Sequence, residues 1–262
     1  MRILLTGATS GIGLAAATRL AAAPHRLVVH GPEPEARAAL ARITADAHPG
    51  ARVSYVSADF TDLASPRDLA DRVVEETGGL DVLVNNAAIP GPRVLTTGPA
   101  GTEIAYQVNF LAPVLLTHHL LPALAPTGRV VDVVSATHFD ATLDVGDLAF
   151  TRDRYAPATA YARSKLALVT YGNWLAARVG QTVISLHPGV VATELLHAMF
   201  GVRGVPAGTG GSNLAAAVTA DLPGGTYLDE TTPAAPSAAS LDPGLQAELV
   251  ADTEQRLSIR LP

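Results

Sequence analysis

The segment Arg2-Ile3-Leu4-Leu5-Thr6-Gly7-Ala8-Thr9-Ser10-Gly11-Ile12-Gly13 runs from an aliphatic strand into a turn with glycines at 7, 11 and 13, and an alanine-rich helix follows to about Ala23. Glycines in front of a helix N-terminus let backbone N–H groups and the positive end of the helix dipole approach a pyrophosphate closely. The spacing differs from the commoner G-x-G-x-x-G, and no Gly-Lys-Ser/Thr follows, as a nucleoside triphosphatase needs. A plain tight turn is the competing reading. The strand before the turn and the helix after it favour a nucleotide site.

Outward from this turn the pattern repeats. His25 to His30 reads as a second strand, Glu35 to Ala47 as a helix, and Arg52 to Ser57 as a strand ending at Ala58-Asp59-Phe60. Ser65 to Thr77 is helical, and Asp81 to Val84 is a strand running into Asn85-Asn86-Ala87-Ala88. A long helix spans about Gly101 to Leu124. Arg129 to Val134 is a strand ending at Ser135, and Thr182 to Leu186 a strand ending at His187-Pro188-Gly189. Thr226 to Leu228 reads as a short seventh strand, Thr232 to Ser240 as a Pro/Ala/Ser-rich linker, and about Pro243 to Arg256 as a helix. Strands alternating with helices predict an α/β fold: a single Rossmann domain over 1–262, with a doubly wound seven-stranded parallel sheet and helices on both faces. Ligands of such sheets sit beyond the carboxyl ends of the strands. Within the long helix, Pro113 lacks an N–H and leaves the carbonyl of Asn109 without its helical partner.

Composition excludes several functions. The chain has 262 residues, of which 48% are hydrophobic and 16% charged, enough for a large core. A net charge of -6 gives no basic footprint for nucleic acid or an anionic membrane. No apolar run reaches the roughly 18 residues of a membrane helix, and a strand at the start in place of a signal peptide predicts a cytoplasmic protein. With no cysteine, disulfides and thiolate chemistry are excluded. The eight histidines lack ligand spacing, so no metal site is expected. The absence of G-x-S-x-G argues against a serine hydrolase.

The chemistry concentrates at Tyr161-Ala-Arg-Ser-Lys165, inside a helix-patterned run from about Pro157 to Val179. At i, i+4 the phenol and the ammonium share one helix face. A tyrosine of ordinary pKa, about 10, is a poor acid or base at neutral pH. A cation within roughly 4 to 6 Å lowers a pKa by about 1 to 3 units, which brings the phenol towards working range. Alone, this spacing is equally that of an amphipathic helix with a surface lysine.

Taken with Thr6-Gly7-x-x-x-Gly11-x-Gly13, Asn85-Asn86-Ala87, Asn109, Ser135 and Pro188-Gly189, in this order, it resembles the short-chain dehydrogenase/reductase family over nearly the whole chain. The texture of Val133-Val-Ser135-Ala-Thr-His138 and of His187 to Leu195 is similar to the retinol dehydrogenase-like branch. The resemblance implies an NAD(P)-dependent oxidoreductase acting on the carbonyl or alcohol of a small lipophilic or natural-product molecule, and a homodimer or homotetramer. It implies a catalytic tetrad of Asn109, Ser135, Tyr161 and Lys165. Tyr161 is then the general acid or base, Ser135 holds the substrate oxygen, Lys165 lowers the phenol's pKa and holds the nicotinamide ribose, and the Asn109 carbonyl serves a proton relay. Gly7, Ser10, Gly11, Ile12 and Gly13 would line the pyrophosphate, Asp59 and Phe60 the adenine, and Asn85 and Ala87 the ribose side. Pro188, Gly189, Val191 and Thr193 would line the nicotinamide. Non-redox chemistry on this scaffold and non-catalytic nucleotide sensing are the alternatives.

Two regions depart from the family pattern or extend it. Where the branch carries Gly-Arg, the second strand here ends His30-Gly31-Pro32-Glu33. Without an acid at Gly31, and with His30 or Arg37 nearby, NADP(H) is expected over NAD(H). The segment from Glu194 to Gly211 pairs Leu195, Leu196, Met199, Phe200 and Val202 with five glycines, which predicts a mobile substrate lid. In it Met199 and Phe200 are expected to touch substrate.

Overall fold

The computed structural model describes all 262 residues. In chain order the principal elements are β1 (Arg2–Leu5), α1 (Gly11–Ala21), β2 (Arg26–Gly31), α2 (Arg37–Thr44), β3 (Arg52–Ser57), α3 (Ser65–Thr77) and β4 (Leu80–Asn85). The second half continues with α4 (Ile104–Tyr106), α5 (Ala112–Leu120), β5 (Leu124–Val133), α6 (Pro157–Ala176), β6 (Thr182–His187), α7 (Glu194–Met199), α8 (Ala207–Thr219), β7 (Thr226–Asp229), β8 (Thr232–Ala234) and α9 (Pro243–Leu257).

The strands form one sheet in the order β3-β2-β1-β4-β5-β6-β7-β8. The first seven are parallel, as expected, and β8 adds an antiparallel edge to β7. This eighth strand lies in the stretch expected to be a linker. Proline is tolerated there because Pro233 sits on an edge strand, and Glu230 at φ 58 turns the chain back. Order reverses between β1 and β4, which opens a crevice at their carboxyl ends.

Both faces of the sheet are dry, so the strands read as aliphatic runs. Alternate residues part company: Leu4, Val28, Leu83 and Val130 belong to the core under α3, α5 and α6, while Ile3, Leu5, Val84 and Val131 belong to the core under α1 and α8.

The long helix expected over Gly101 to Leu124 is broken into α4, a π turn over Gln107–Leu111, α5 and a 3₁₀ turn over Leu121–Ala123. The π turn falls immediately before Pro113, where the regular pattern of hydrogen bonds cannot continue.

Of the five glycines of the expected lid, Gly204, Gly210 and Gly211 serve close packing, while Gly201 and Gly208 stand in open space. Gly208, Gly210 and Gly211 lie within α8. A Cβ on Gly211 would come 2.5 Å from the Cβ of Ala15, and one on Gly210 would come 2.6 Å from Val191. Gly210 and Gly211 let α8 pack closely on α1 and on the loop after β6. Gly204 is equally tight against the backbone of Val191 and Ala192.

Candidate active site

The glycine turn forms one wall of a cleft of about 910 Å³ at the crevice. Gly7 and Gly11 have φ of 64° and 52°, which favours glycine. A Cβ on Gly13 would lie 2.0 Å from the Gly7 carbonyl oxygen. Asn86 binds the turn to β4: its amide donates to the carbonyls of Thr6 and Gly7 at 2.9 Å each. The backbone N–H groups of Asn86 and Ala87 donate to the Thr6 hydroxyl at 3.0 Å. Ser10 caps α1 in extended geometry with no cap bond from its hydroxyl, which lines the cleft together with Gly7, Gly11, Ile12, Gly13 and Ala87. A turn this close to an open helix N-terminus fits a pyrophosphate, and the elongated cleft fits a nicotinamide dinucleotide.

At the far end of the turn the lining is acidic. His30 is buried, with Nε2 donating to the Ala58 carbonyl at 2.9 Å and Nδ1 accepting from the Gly7 N–H at 3.4 Å, and its ring stacks on Phe60 at 4.5 Å. Burial pushes its pKa down to about 4, so it is neutral at working pH. Gly31 does not line the cleft; its missing side chain makes room instead. A Cβ there would meet Thr9 at 2.5 Å and the Glu33 carboxylate at 2.6 Å. Glu33 therefore folds back over Gly31, accepts from the Thr9 hydroxyl at 3.2 Å and lines the cleft with Asp59 and Phe60. Arg37 points elsewhere, paired with Glu35 at 2.8 Å and exposed. Lys165 is the only lysine or arginine in the whole lining.

Three of the four expected catalytic residues converge on the cleft: Ser135 follows β5, and Tyr161 and Lys165 come from α6. The Lys165 ammonium lies 5.7 Å from the Tyr161 ring centroid and donates to the Val133 carbonyl at 2.8 Å. Contrary to the expected lowering, burial pushes the phenol up to about 12, against an opposing pull from the Ser135 side chain. Lys165 is itself pushed down to about 8 by burial, with Asp132 pulling the other way. Asp132 was not singled out from sequence. It is fully buried, pushed up to about 6, and accepts from the Asn85 amide at 2.8 Å.

Two expected site residues lie away from the cleft, and that contact explains the first. Asn85 points into the core beneath the sheet, where its amide also donates to the Thr117 hydroxyl at 3.1 Å; Asn86 is the residue that reaches the turn. Asn109 is also outside the lining. Its side chain accepts from the Ile89 N–H at 2.8 Å and donates to the Ile89 carbonyl at 3.0 Å and to the Ser164 hydroxyl at 3.1 Å. It secures the loop after β4 to α6.

The opposite wall is apolar. Pro188, Gly189, Val191 and Thr193 line it, and the Thr193 hydroxyl caps α7 by accepting from the Leu196 N–H at 3.2 Å. Leu195, Leu196, Phe200 and Val202 continue it, whereas Met199 does not reach the cleft. Val191 and Val205 form a parallel bridge that ties the segment down at both ends.

The sequence of residues 1–201 matches the family described as short chain dehydrogenase. The chain belongs to that family. It is 35% identical to retinol dehydrogenase 13 of Mus musculus over 199 residues, covering 74% of this chain and 59% of that protein. It is 41% identical to a polyprenol dehydrogenase of Mus musculus over 207 residues, covering 73% and 60%. The matches thus span about three fifths of the length of these relatives. Among solved structures, a protein from Mycobacterium paratuberculosis superposes over 100% of this chain and 94% of its own, with a TM-score of 0.83 at 31% identity. A short chain dehydrogenase from Burkholderia cenocepacia in complex with NADP covers 87% of this chain and 94% of its own, with a TM-score of 0.67 at 28% identity.

Proposed function

We propose that the protein is an NAD(P)-dependent dehydrogenase or reductase that interconverts a carbonyl and an alcohol on a neutral, lipophilic small molecule. The observation that carries this reading is the convergence of Ser135, Tyr161 and Lys165 on one cleft with the glycine turn of β1 and α1. When bound, the nicotinamide gives or takes the hydride. Tyr161 donates its phenolic proton to the substrate oxygen in reduction and receives it back in oxidation. The Ser135 hydroxyl donates a hydrogen bond to the same oxygen and stabilises the charge that develops there. Lys165 would supply a positive field to the buried phenol, and its ammonium would hold the ribose hydroxyls of the nucleotide. Asn109 keeps the loop after β4 against α6, with its main-chain carbonyl available to a proton relay beside Lys165.

The walls support this substrate class. Ile89, Pro90, Leu195, Leu196, Phe200 and Val202 offer no cation to a carboxylate or phosphate, which favours an uncharged, apolar ligand there. The names of the retinol and polyprenol dehydrogenase relatives agree with a lipophilic alcohol.

For the cofactor, the expected preference for NADP(H) relied on His30 or Arg37 as a partner for a 2′-phosphate. A neutral His30, a diverted Arg37 and the carboxylates of Glu33 and Asp59 support NAD(H) instead, with Glu33 accepting from the adenosine ribose hydroxyls. Absorbance of reduced cofactor, followed with NAD(H) and NADP(H) against a panel of lipophilic ketones, aldehydes and alcohols, tests both points. Cofactor binding without turnover on any of them would sink the redox reading.

A further inference from the structure

The peptide bond that follows Ser135 is held at both ends by imidazoles. Its carbonyl, that of Ser135, accepts from His138 Nδ1 at 2.6 Å, and its N–H, that of Ala136, donates to His187 Nδ1 at 3.3 Å. His138 sits in the 3₁₀ turn Ala136–Phe139, and His187 is the last residue of β6, 51 positions beyond Ala136. The other nitrogen of His138 accepts from the Ser237 N–H at 3.2 Å, which brings in the segment after β8. His138 is fully buried and stands edge-on to Tyr227 at 5.1 Å.

The two backbone N–H contacts each require a bare ring nitrogen, and with the carbonyl contact they fix one neutral tautomer on each ring. A carbonyl accepts only, so His138 must carry its proton on Nδ1; a backbone N–H donates only, so its Nε2 must be bare. By the same reasoning the Nδ1 of His187 must be bare and its proton must be on Nε2. A second proton on either ring would set N–H against N–H, at Ser237 or at Ala136.

We propose that His138 and His187 are positioning residues that act together as a proton-sensitive clamp on the Ser135–Ala136 peptide: protonation of His187 in acid breaks its bond to the Ala136 N–H, protonation of His138 breaks the bond from the Ser237 N–H that holds its ring in place, and either event displaces the Ser135 hydroxyl and slows catalysis. The clamp rests on the reading of Ser135 as the residue that holds the substrate oxygen. The environment supports neutral rings. Burial lowers the pKa of His138, against the Ser135 carbonyl, which raises it. Burial also lowers that of His187, and nearby His138 adds to this, while Asp229 and Glu230 at the end of β7 pull it up. Tyr227 faces His138 from β7, and Tyr161 faces Ser135 from α6; neither titrates in the acid range. The sign follows: both rings are neutral in the working fold and gain protons as pH falls, so activity and stability are lost on the acid side.

The test has an arm that needs no substrate. Nitrogen-15 NMR of the histidine rings in the intact protein should show His138 protonated on Nδ1 and His187 on Nε2 at pH 7; the opposite tautomer, or an imidazolium, at either ring would overturn the clamp. In the second arm, the pH profile of kcat is compared for wild type, His187→Asn and His138→Gln. The Asn side-chain oxygen can stand where Nδ1 does and accept from Ala136, and the Gln oxygen can stand where Nε2 does and accept from Ser237, yet neither titrates; Gln forfeits the donor to the Ser135 carbonyl, so His138→Gln should also lower kcat at every pH. Each substitution should shift the acid limb to lower pH, while His187→Phe, which removes the acceptor, should lower kcat about tenfold across the profile with cofactor affinity unchanged. An acid limb identical to wild type in both folded amide variants would refute the proposal. Absence of turnover by wild type would sink the functional reading instead and leave the tautomer result standing.

Discussion

Replacing Asp132 by asparagine should make the protein more stable and, at alkaline pH, less active. Asp132 lies between Asn85 of β4 and Ser185 of β6 in register, beneath Lys165. One of its oxygens accepts from Asn85, and the other has no partner. Burial raises its pKa from 3.8 to about 6. Roughly two pKa units at 1.36 kcal/mol each put the cost of keeping this carboxylate charged in the fold at about 3 kcal/mol. The attraction to Lys165 and the bond from Asn85 already lie inside that figure, so they are not subtracted again. An amide of the same shape carries no charge, but its N–H₂ group has to find partners; one acceptor at hand is the unpaired side-chain oxygen of Asn85. Imperfect pairing costs about 1 to 2 kcal/mol, which leaves a net gain of about 1 to 2 kcal/mol.

The pH dependence separates this account from a simple packing effect. A carboxyl whose folded pKa is raised imposes no penalty below its unfolded value and the full penalty above its folded value. The gain in Asp132→Asn should therefore be complete above about pH 6 and vanish towards pH 4. Thermal unfolding monitored by circular dichroism at pH 8 and pH 4 reads it as a rise of several degrees at the first and none at the second. Lys165 loses the anion that opposes its burial, so its pKa falls below about 8 and the alkaline limb of kcat moves to lower pH. A variant that is equally destabilised at both pH values, with an unchanged kcat profile, would refute the reasoning.

Tyr161→Phe should lower kcat by at least ~10²- to 10⁴-fold with nucleotide affinity nearly unchanged in calorimetry, because only the proton donor is lost. Gly13→Ala drives a methyl group to 2.0 Å from the Gly7 carbonyl oxygen, so titration should show nucleotide binding lost in a protein that still folds. Glu33→Gln should weaken NAD(H) about tenfold and tighten NADP(H), since it removes the carboxylate that accepts from a ribose and repels a 2′-phosphate; an unchanged ratio would remove Glu33 from cofactor choice. Phe200→Ala should raise KM for a lipophilic substrate severalfold and leave cofactor affinity alone, and unaltered steady-state kinetics would take α7 and the loop after it out of the substrate site.

What was legible in the sequence is what strand ends and spacing can carry. The glycine turn, Ser135 and the pair on α6 each sit where a parallel sheet presents its ligand, and their residue types already state their chemistry. The direction in which a side chain points was harder to read. Asn85 and Asn86 are adjacent, and strand alternation sends one into the core beside Leu83 and the other to the turn. Counting from the buried Leu83 would have assigned them correctly.

Other features depended on the fold itself. Glu33 reads as too late for the end of β2 until the space left by Gly31 shows that it folds back, and Gly210 and Gly211 read as a hinge until α1 is found against them. The same reasoning accounts for Tyr161 and Lys165. Their spacing supports an activated phenol, yet burial alone moves the phenol up and the lysine down, each away from activity. Asp132, buried on the far side of Lys165, opposes the second of these shifts, at a cost to stability that its own raised pKa records. The lysine of a motif read as two residues is thus kept nearer its charged state by a third, 33 positions before it on β5.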